Sequence, residues 1–385
     1  MMRNRKSNNS TLLNSACAIV FILFVFLYLY FFQADLLFMV QHVLSGGTTH
    51  YDKTIGTVVI TLVLYFVHVG VMKLGDFGAG GHVFSYIPSF LLLIALTCVD
   101  SDFDENPYNG GCLWVSLSLF ILYIAVVSFL RVRRSLPVFS GGGATPVGLL
   151  WKNLLLMSLM CIVVCLYGNS DRVFHYRLRV ERLLMSGNYA DALKVGDKSD
   201  DADPSLTMLR IYALSRERLL GERLFEYPLS GGSQALLPDG KDVRCLFYPE
   251  RRIFKVLSIR KKGSMSPMAY LQYIERNGLA MKSAADYMLC GYLLDKDIDG
   301  FVRAIQRKYD ISSPSLPKHY KEALTLYTHQ RANPAVVYHN EVMDADYADM
   351  QALERKYPDK RECESYVRDT YGDTYWFYYF YGKRK

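Results

Sequence analysis

Apolar residues crowd the first 167 positions into five runs, at 13–32, 54–71, 83–99, 113–130 and 149–167, each about 17 to 21 residues long and almost free of charge. A helix of that length crosses a hydrocarbon core of roughly 30 Å, so the pattern predicts five transmembrane helices. No comparable run follows. From position 168 apolar and polar residues recur with a helical period, broken by Gly, Asp and Pro, which predicts a soluble helical tail. The expected organisation is all-α: a cytoplasmic segment at 1–12, a five-helix transmembrane region at 13–167, and an extracytoplasmic α-solenoid-like domain at 168–385 with an irregular insert near 230–263.

The first run follows Arg3, Arg5 and Lys6, a basic start that signal peptides share. It is longer than a cleavable apolar segment of about 7 to 15 residues, and no small-x-small site follows, so it is expected to remain as an anchor. Basic residues then set the orientation. The loop after the third run, Asp100 to Glu105, holds no basic residue, whereas the loop after the fourth holds Arg131, Arg133 and Arg134. Positive loops stay cytoplasmic. With five crossings the tail is expected outside, in the periplasm of a cell with two membranes, and the protein in the inner membrane.

Charge narrows the function classes. Beyond residue 167 the chain carries 35 Lys and Arg against 30 Asp and Glu, interleaved along helices as on a solvated surface, which argues against nucleic acid. Eight cysteines include no CxxC pair, so no zinc or thioredoxin-like site is expected, and no cofactor. Cys98 and Cys112 flank the acidic loop, where a disulfide and two separate thiols both remain open.

Transporters and pumps keep ionisable groups within their spans. Here only His68 lies well inside one, and it reads as a packing residue; Lys152 lies near a span end. The stretch at 33–44 suits a short helix at the outer interface. His42, His50 and His175 have no ligand-spaced carboxylate, so no metal is expected. The glycine-rich strings at 75–81 and 140–146 lack the Gly-Lys-Ser/Thr of a phosphate loop and read as turns.

In the tail, 172–186 places Val173, Tyr176, Val180, Leu183 and Leu184 on one helical face, and 188–195 opens a second helix with Ala192 and Leu193 inward. The turn Gly187-Asn-Tyr-Ala-Asp-Ala-Leu193, with Pro204 ending the unit and Gly221 falling 34 residues after Gly187, resembles the tetratricopeptide repeat. The resemblance implies a concave repeat surface, on which Tyr176, Tyr189, Tyr212 and Arg216 are the expected binding residues. Further helices are predicted at 284–294, 298–309, after Pro317, and at 340–357, and a β-hairpin around Asp239-Gly240 is one form the insert could take. The aromatic run at 371–381 either caps the last repeat or sits in the headgroup layer.

The strings Leu219-Leu-Gly-Glu-Arg-Leu-Phe-Glu-Tyr227, Asp299-Gly-Phe-Val302, Leu316-Pro-Lys-His-Tyr-Lys-Glu-Ala-Leu324 and Tyr371-Gly-Asp-Thr-Tyr-Trp-Phe-Tyr-Tyr379 look like a family of uncharacterised membrane proteins of Bacteroidota, DUF6057. That resemblance implies an inner-membrane protein with a helical periplasmic tail and brings no catalytic residue. The expected function is a membrane-anchored interaction or scaffold protein, with membrane lipid and a protein partner or a second copy of itself as contacts. The alternative is a membrane enzyme or transporter subunit using Asp35, His42, His50, Asp100, Asp102, Asp104 and Glu105 at the outer face.

Overall fold

The computed structural model describes residues 2–75, 77, 81–100, 111–132, 145–258 and 263–382. Its described elements are all helical, and the chain divides into two compact units, Met1–His175 and Tyr176–Lys385.

In the first unit, α1 (Met2–Leu27) runs on through a π turn, Tyr28–Phe32, and is followed by α2 (Ala34–Leu44), α3 (Lys53–Leu74), a 3-10 turn at His82–Tyr86, α4 (Ile87–Thr97), α5 (Gly111–Val132) and α6 (Pro146–Tyr167). Among the described residues four stretches are long and apolar enough to cross a membrane: Leu13–Phe32, Lys53–Leu74, Gly111–Phe129 and Val147–Tyr167. They carry large apolar side chains into the open, among them Phe31, Phe66, Trp114, Ile121, Trp151 and Leu155. Such belts are unfavourable in water and suited to lipid, which marks the unit as membrane-associated.

The expected third run lies on His82–Thr97, a shorter apolar helix. Pro88 begins its α-helical part and the preceding turn is 3-10, which together shorten the regular helix. No residue from 82 to 99 is exposed, so this helix is enclosed by its neighbours. Phe21 of α1 packs on it, with ring centroids 4.9 Å from Tyr86 and 5.3 Å from Phe90. Side chains satisfy its irregular start: Val83 N–H donates to Asn153 Oδ1 (3.0 Å) and Tyr123 O–H donates to Phe84 O (2.7 Å). Ser85 Oγ lies 2.9 Å from His68 Nδ1, and the His68 and Tyr86 rings stack at 3.6 Å. His68 is thus a hydrogen-bonded packing residue. The far end of the helix is tied by Asn169, whose backbone N–H donates to Thr97 O (2.9 Å) and whose Nδ2 donates to Val99 O (2.9 Å). Next to it Gly168 lies close against Tyr28 Oη, which a Cβ at this position would displace. The acidic loop beyond Asp100, Arg133, Arg134 and most of both glycine-rich strings lie outside the described residues.

The second unit begins in α7 (Arg172–Met185) and continues with α8 (Tyr189–Leu193), α9 (Pro204–Glu217), α10 (Leu220–Arg223), α11 (Glu250–Lys255), α12 (Pro267–Arg276), α13 (Lys282–Leu294), α14 (Ile298–Ile305), α15 (Lys318–Gln330), α16 (Glu341–Lys356), α17 (Lys360–Tyr371) and α18 (Tyr375–Tyr381). Three hairpins share one construction. Long helices α7, α9 and α13 end at a left-handed residue, Gly187 (φ 76°), Arg218 (φ 60°) and Lys296 (φ 59°), and a short helix returns. The turn matching Gly187 is therefore at Arg218. Gly221 instead lies within α10, where a Cβ would come 2.6 Å from the Tyr320 ring. Pro204 does not end a helix; it opens α9 behind its N-cap Asp203.

Charged side chains point into this unit. The buried face of α7 is Phe174, Arg177, Leu178, Val180, Glu181 and Leu184, rotated from the expected one because Arg177 and Glu181 turn inward. Both Glu181 oxygens accept backbone N–H bonds from the insert: Leu246 (2.7 Å), Phe247 (2.8 Å) and Tyr248 (2.8 Å). Burial raises the Glu181 carboxyl above its usual range, and the three N–H donors and Arg177 oppose the rise. Among its described residues the insert holds a 3-10 turn, Gly232–Leu236, and α11 but no strand; at Asp239-Gly240 the chain makes a turn, with Asp239 Oδ1 accepting from Lys241 and Val243 N–H. Arg210 on α9, 1% exposed, donates to the carbonyls of Pro228 (3.2 Å) and Gly196 (3.0 Å). Burial lowers this guanidinium to about 10.

The aromatic end packs within the unit. Tyr375 N–H donates to Glu322 Oε2 (2.7 Å) and Trp376 Nε1–H donates to Glu322 O (2.7 Å). Tyr375 and Trp376 are buried, Phe380 is exposed, and residues 383–385 lie outside the described residues. His319 completes the cluster, its Nε2 accepting from Phe225 N–H (3.2 Å) and its Nδ1 facing Glu322 Oε2 (2.9 Å).

Glu181→Ala leaves three buried N–H groups without acceptors and is expected to destabilise the second unit by about 3 kcal/mol or more. Hydrogen exchange of the purified full chain tests this: the Leu246, Phe247 and Tyr248 amides should lose protection together, and unchanged protection refutes the assignment. Gly221→Leu is expected to lower the unfolding midpoint by overpacking against Tyr320, at a cost of about 1 to 3 kcal/mol. Gly187→Ala, where a Cβ meets open space but φ is positive, provides the strain-only comparison.

Candidate functional site: a cationic groove on three helices

Helix α12 starts at Ser266, whose Oγ accepts Ala269 N–H (3.3 Å), and buries Tyr270, Leu271 and Ile274. The next helix, α13, is almost wholly buried, with Tyr287, Leu289, Cys290 and Leu293 at 0% exposure. Asp297 caps α14 by accepting Gly300 N–H (2.8 Å), and α14 buries Ile298, Phe301, Val302 and Ile305. These apolar faces hold the three helices together and leave a recess of about 320 Å³ between their outer edges.

Buried Met288, Gly300 and Ala304 contribute to its lining. Gln272 Nε2 donates to Tyr292 Oη (3.2 Å), a polar bridge from α12 to α13. A Cβ at position 300 would collide first with the capping carboxylate of Asp297 and then lie 2.7 Å from the Tyr292 ring. Arg276, Arg303 and Arg307 line the recess and are exposed. Its one acid, Glu275, is engaged by Lys308 Nζ at 2.5 Å. None of the three guanidiniums has an ion-pair or hydrogen-bond partner among the described residues. The arrangement can bind an anion and offers no nucleophile or acid–base pair.

The residues expected from sequence to bind lie elsewhere. Tyr176 packs under Gly196, where a Cβ would meet its ring at 2.9 Å. Tyr189, Tyr212 and Arg216 do come together: the Arg216 guanidinium sits 4.8 Å from the Tyr189 ring centroid, and Tyr189 meets Tyr212 edge-on at 6.1 Å. Tyr212 is 1% exposed and shares a hydrogen bond with Tyr248 Oη (3.0 Å), so it belongs to the core. Arg216 alone of these four is exposed.

Around the connection from α2 to α3, His42 and His50 stack with ring centroids 5.8 Å apart, and Phe38 stacks on both. His175 Nε2 instead lies 3.0 Å from Asn169 O. Among the described residues no group of three or more His, Cys, Asp or Glu side chains is placed to hold a metal. Cys98 and Cys112 are free thiols. Asp102, Asp104 and Glu105 lie outside the described residues.

Burial and the neighbouring His50 hold His42 below the usual imidazole value of 6.5. The folded loop therefore takes up a proton less readily than the unfolded chain. Its stability is fully present above about pH 6.5 and declines as pH falls below that value. Limited proteolysis of the loop between pH 7.5 and 5.5 should show faster cutting on acidification in the native chain and a flatter profile in His42→Asn. Equal profiles would remove the stacked pair as the cause.

Residues 260–382 match the model of a family of unknown function, DUF6057. No curated protein and no solved structure matches the chain. The matched stretch contains α12 to α18, and with them the groove, the Glu322 cluster and the aromatic last helix. The chain is thus DUF6057-like, and its cationic groove lies in the part that is so.

Proposed function

We propose that this chain is a membrane-anchored interaction protein of the cell envelope, whose tail holds a protein partner in the groove of α12, α13 and α14. The observation that carries the reading is the open recess of about 320 Å³ with unpaired side chains at its edge, in a unit distinct from the apolar one. Helical hairpins stacked side by side build concave surfaces of this kind. In this reading the hairpins at α7, α9 and α13, with long helices of 14, 14 and 13 residues, are divergent tetratricopeptide-like units.

The proposed topology has His82–Thr97 as a fifth crossing, short because protein rather than lipid surrounds it. The N-terminus and the loop of Arg131, Arg133 and Arg134 are then cytoplasmic, and the tail is periplasmic at the inner membrane. Membrane lipid contacts the apolar belt. The enzyme or transporter alternative draws support only from the stacked His42 and His50.

A photo-crosslinking residue at Gln272 of the full chain in native membranes tests the docking reading, with position 360 on α17 as comparison. A defined envelope protein captured at 272 and not at 360 is the expected result. Capture of the chain itself would replace the partner by a second copy. No adduct at 272 would refute docking in the groove.

A further inference from the structure

The three arginines come from two helix ends, Arg276 from the end of α12, and Arg303 in the last turn of α14 with Arg307 just beyond it. Cations at helix C-termini are ordinary, because each end carries about half a negative charge. Two such ends offset about one of the three positive charges. Glu275 offsets none, since Lys308 already engages it. An excess of about two charges converges on one recess without an internal counterion.

Guanidinium groups are planar forks that match carboxylate and phosphate oxygens two at a time. The surroundings discriminate between those anions. Phosphate sites characteristically add backbone N–H groups at helix N-termini, whereas the arginines here lie at or beside helix C-terminal ends. A flat lipid surface would meet protruding side chains, not a concavity lined by Met288, Gly300 and Ala304. An extended peptide reaches into a recess, placing acids on the arginines and an apolar side chain against Met288 and Ala304.

We propose that the groove is a receptor for an acidic, partly apolar peptide segment, bound through side-chain carboxylates to Arg276, Arg303 and Arg307. This rests on the docking reading above and names the chemistry of the docked partner. Gln272 and Tyr292, already bridged, fix the wall between the cations, and Gly300 keeps the space beside Tyr292 open.

The probe is a fluorescent peptide of glutamates with two leucines, titrated by anisotropy against the full chain in zwitterionic nanodiscs. Saturable binding is expected, weakened by added salt because the arginines are exposed. Arg303→Ser with Arg307→Ser should weaken it by about tenfold or more. The exposed pair Arg251→Ser with Lys255→Ser removes the same charge from α11 and should leave binding within about twofold. Thermal unfolding of both double variants checks that the groove variant is folded; if it is not, the single change Arg276→Ser at an exposed position substitutes for it and should likewise weaken binding.

Equal loss in both double variants, or none in the groove variant, overturns the proposal. Displacement of the peptide by millimolar pyrophosphate but not by a glutamate–leucine competitor reassigns the groove to phosphate. Arginine-dependent binding to phosphatidylglycerol nanodiscs without peptide binding reassigns it to lipid. If Gln272 captures a partner while the acidic peptide does not bind, docking stands and the acidic assignment falls.

Discussion

A backbone N–H or C=O shut away from water needs a partner, and in the second unit ionic side chains on regular helices supply partners for irregular chain. Glu181 accepts three N–H groups of the insert, Arg210 donates to loop carbonyls, and Glu322 binds the start of the last helix through both its carboxylate and its carbonyl. Just beyond α13, Asp295 likewise accepts from Ser233 N–H (2.9 Å) of the insert. Each bond fixes a segment with no ladder of its own. Hydrophobic burial holds the helices together, but these charges decide where the connections run.

The first unit meets the same requirement with neutral groups. Asn153, Tyr123, Ser89 and Asn169 satisfy the 3-10 turn, the α3 carbonyl at Leu64 and the far end of α4. A charge in an apolar interior would need compensation that a hydroxyl or amide does not. The enclosed helix therefore keeps an almost uninterrupted apolar sequence, Ile87 to Thr97, and borrows its polar partners from α3, α5 and α6.

Part of the helical plan was legible in the chain: the helices expected at 188–195, 284–294, 298–309, after Pro317 and at 340–357 correspond to α8, α13, α14, α15 and α16. The helices α9 and α12 were not, because Pro204 reads equally as the stop of one helix and the start of the next. What was not legible follows from long-range contacts. Periodicity assigns Arg177 and Glu181 to a wet face, because only the distant insert reveals what they bind. Run length alone treats 83–99 as equal to its neighbours, because enclosure by other helices leaves no mark on composition. Gly221 keeps a repeat spacing by count, yet its role is set by Tyr320, a residue about a hundred positions away. The groove was invisible for the same reason: Arg276, Arg303 and Arg307 each look like an ordinary solvated position, and only the packing of α12 to α14 brings them together.

The Glu322 cluster has a consequence for how the tail matures. Its donors, Tyr375 and Trp376, lie more than fifty residues downstream of the acceptor, and Phe225, which reaches His319, lies more than ninety upstream of that histidine. During synthesis the carboxylate of Glu322 lacks the Tyr375 N–H, and its carbonyl lacks the Trp376 indole, until α18 has emerged. Chains interrupted before Tyr375 would carry an uncapped acid and a missing aromatic plug in an otherwise assembled array. The one carboxylate thus links the start of α18 to α15 and, through His319, to the backbone at Phe225.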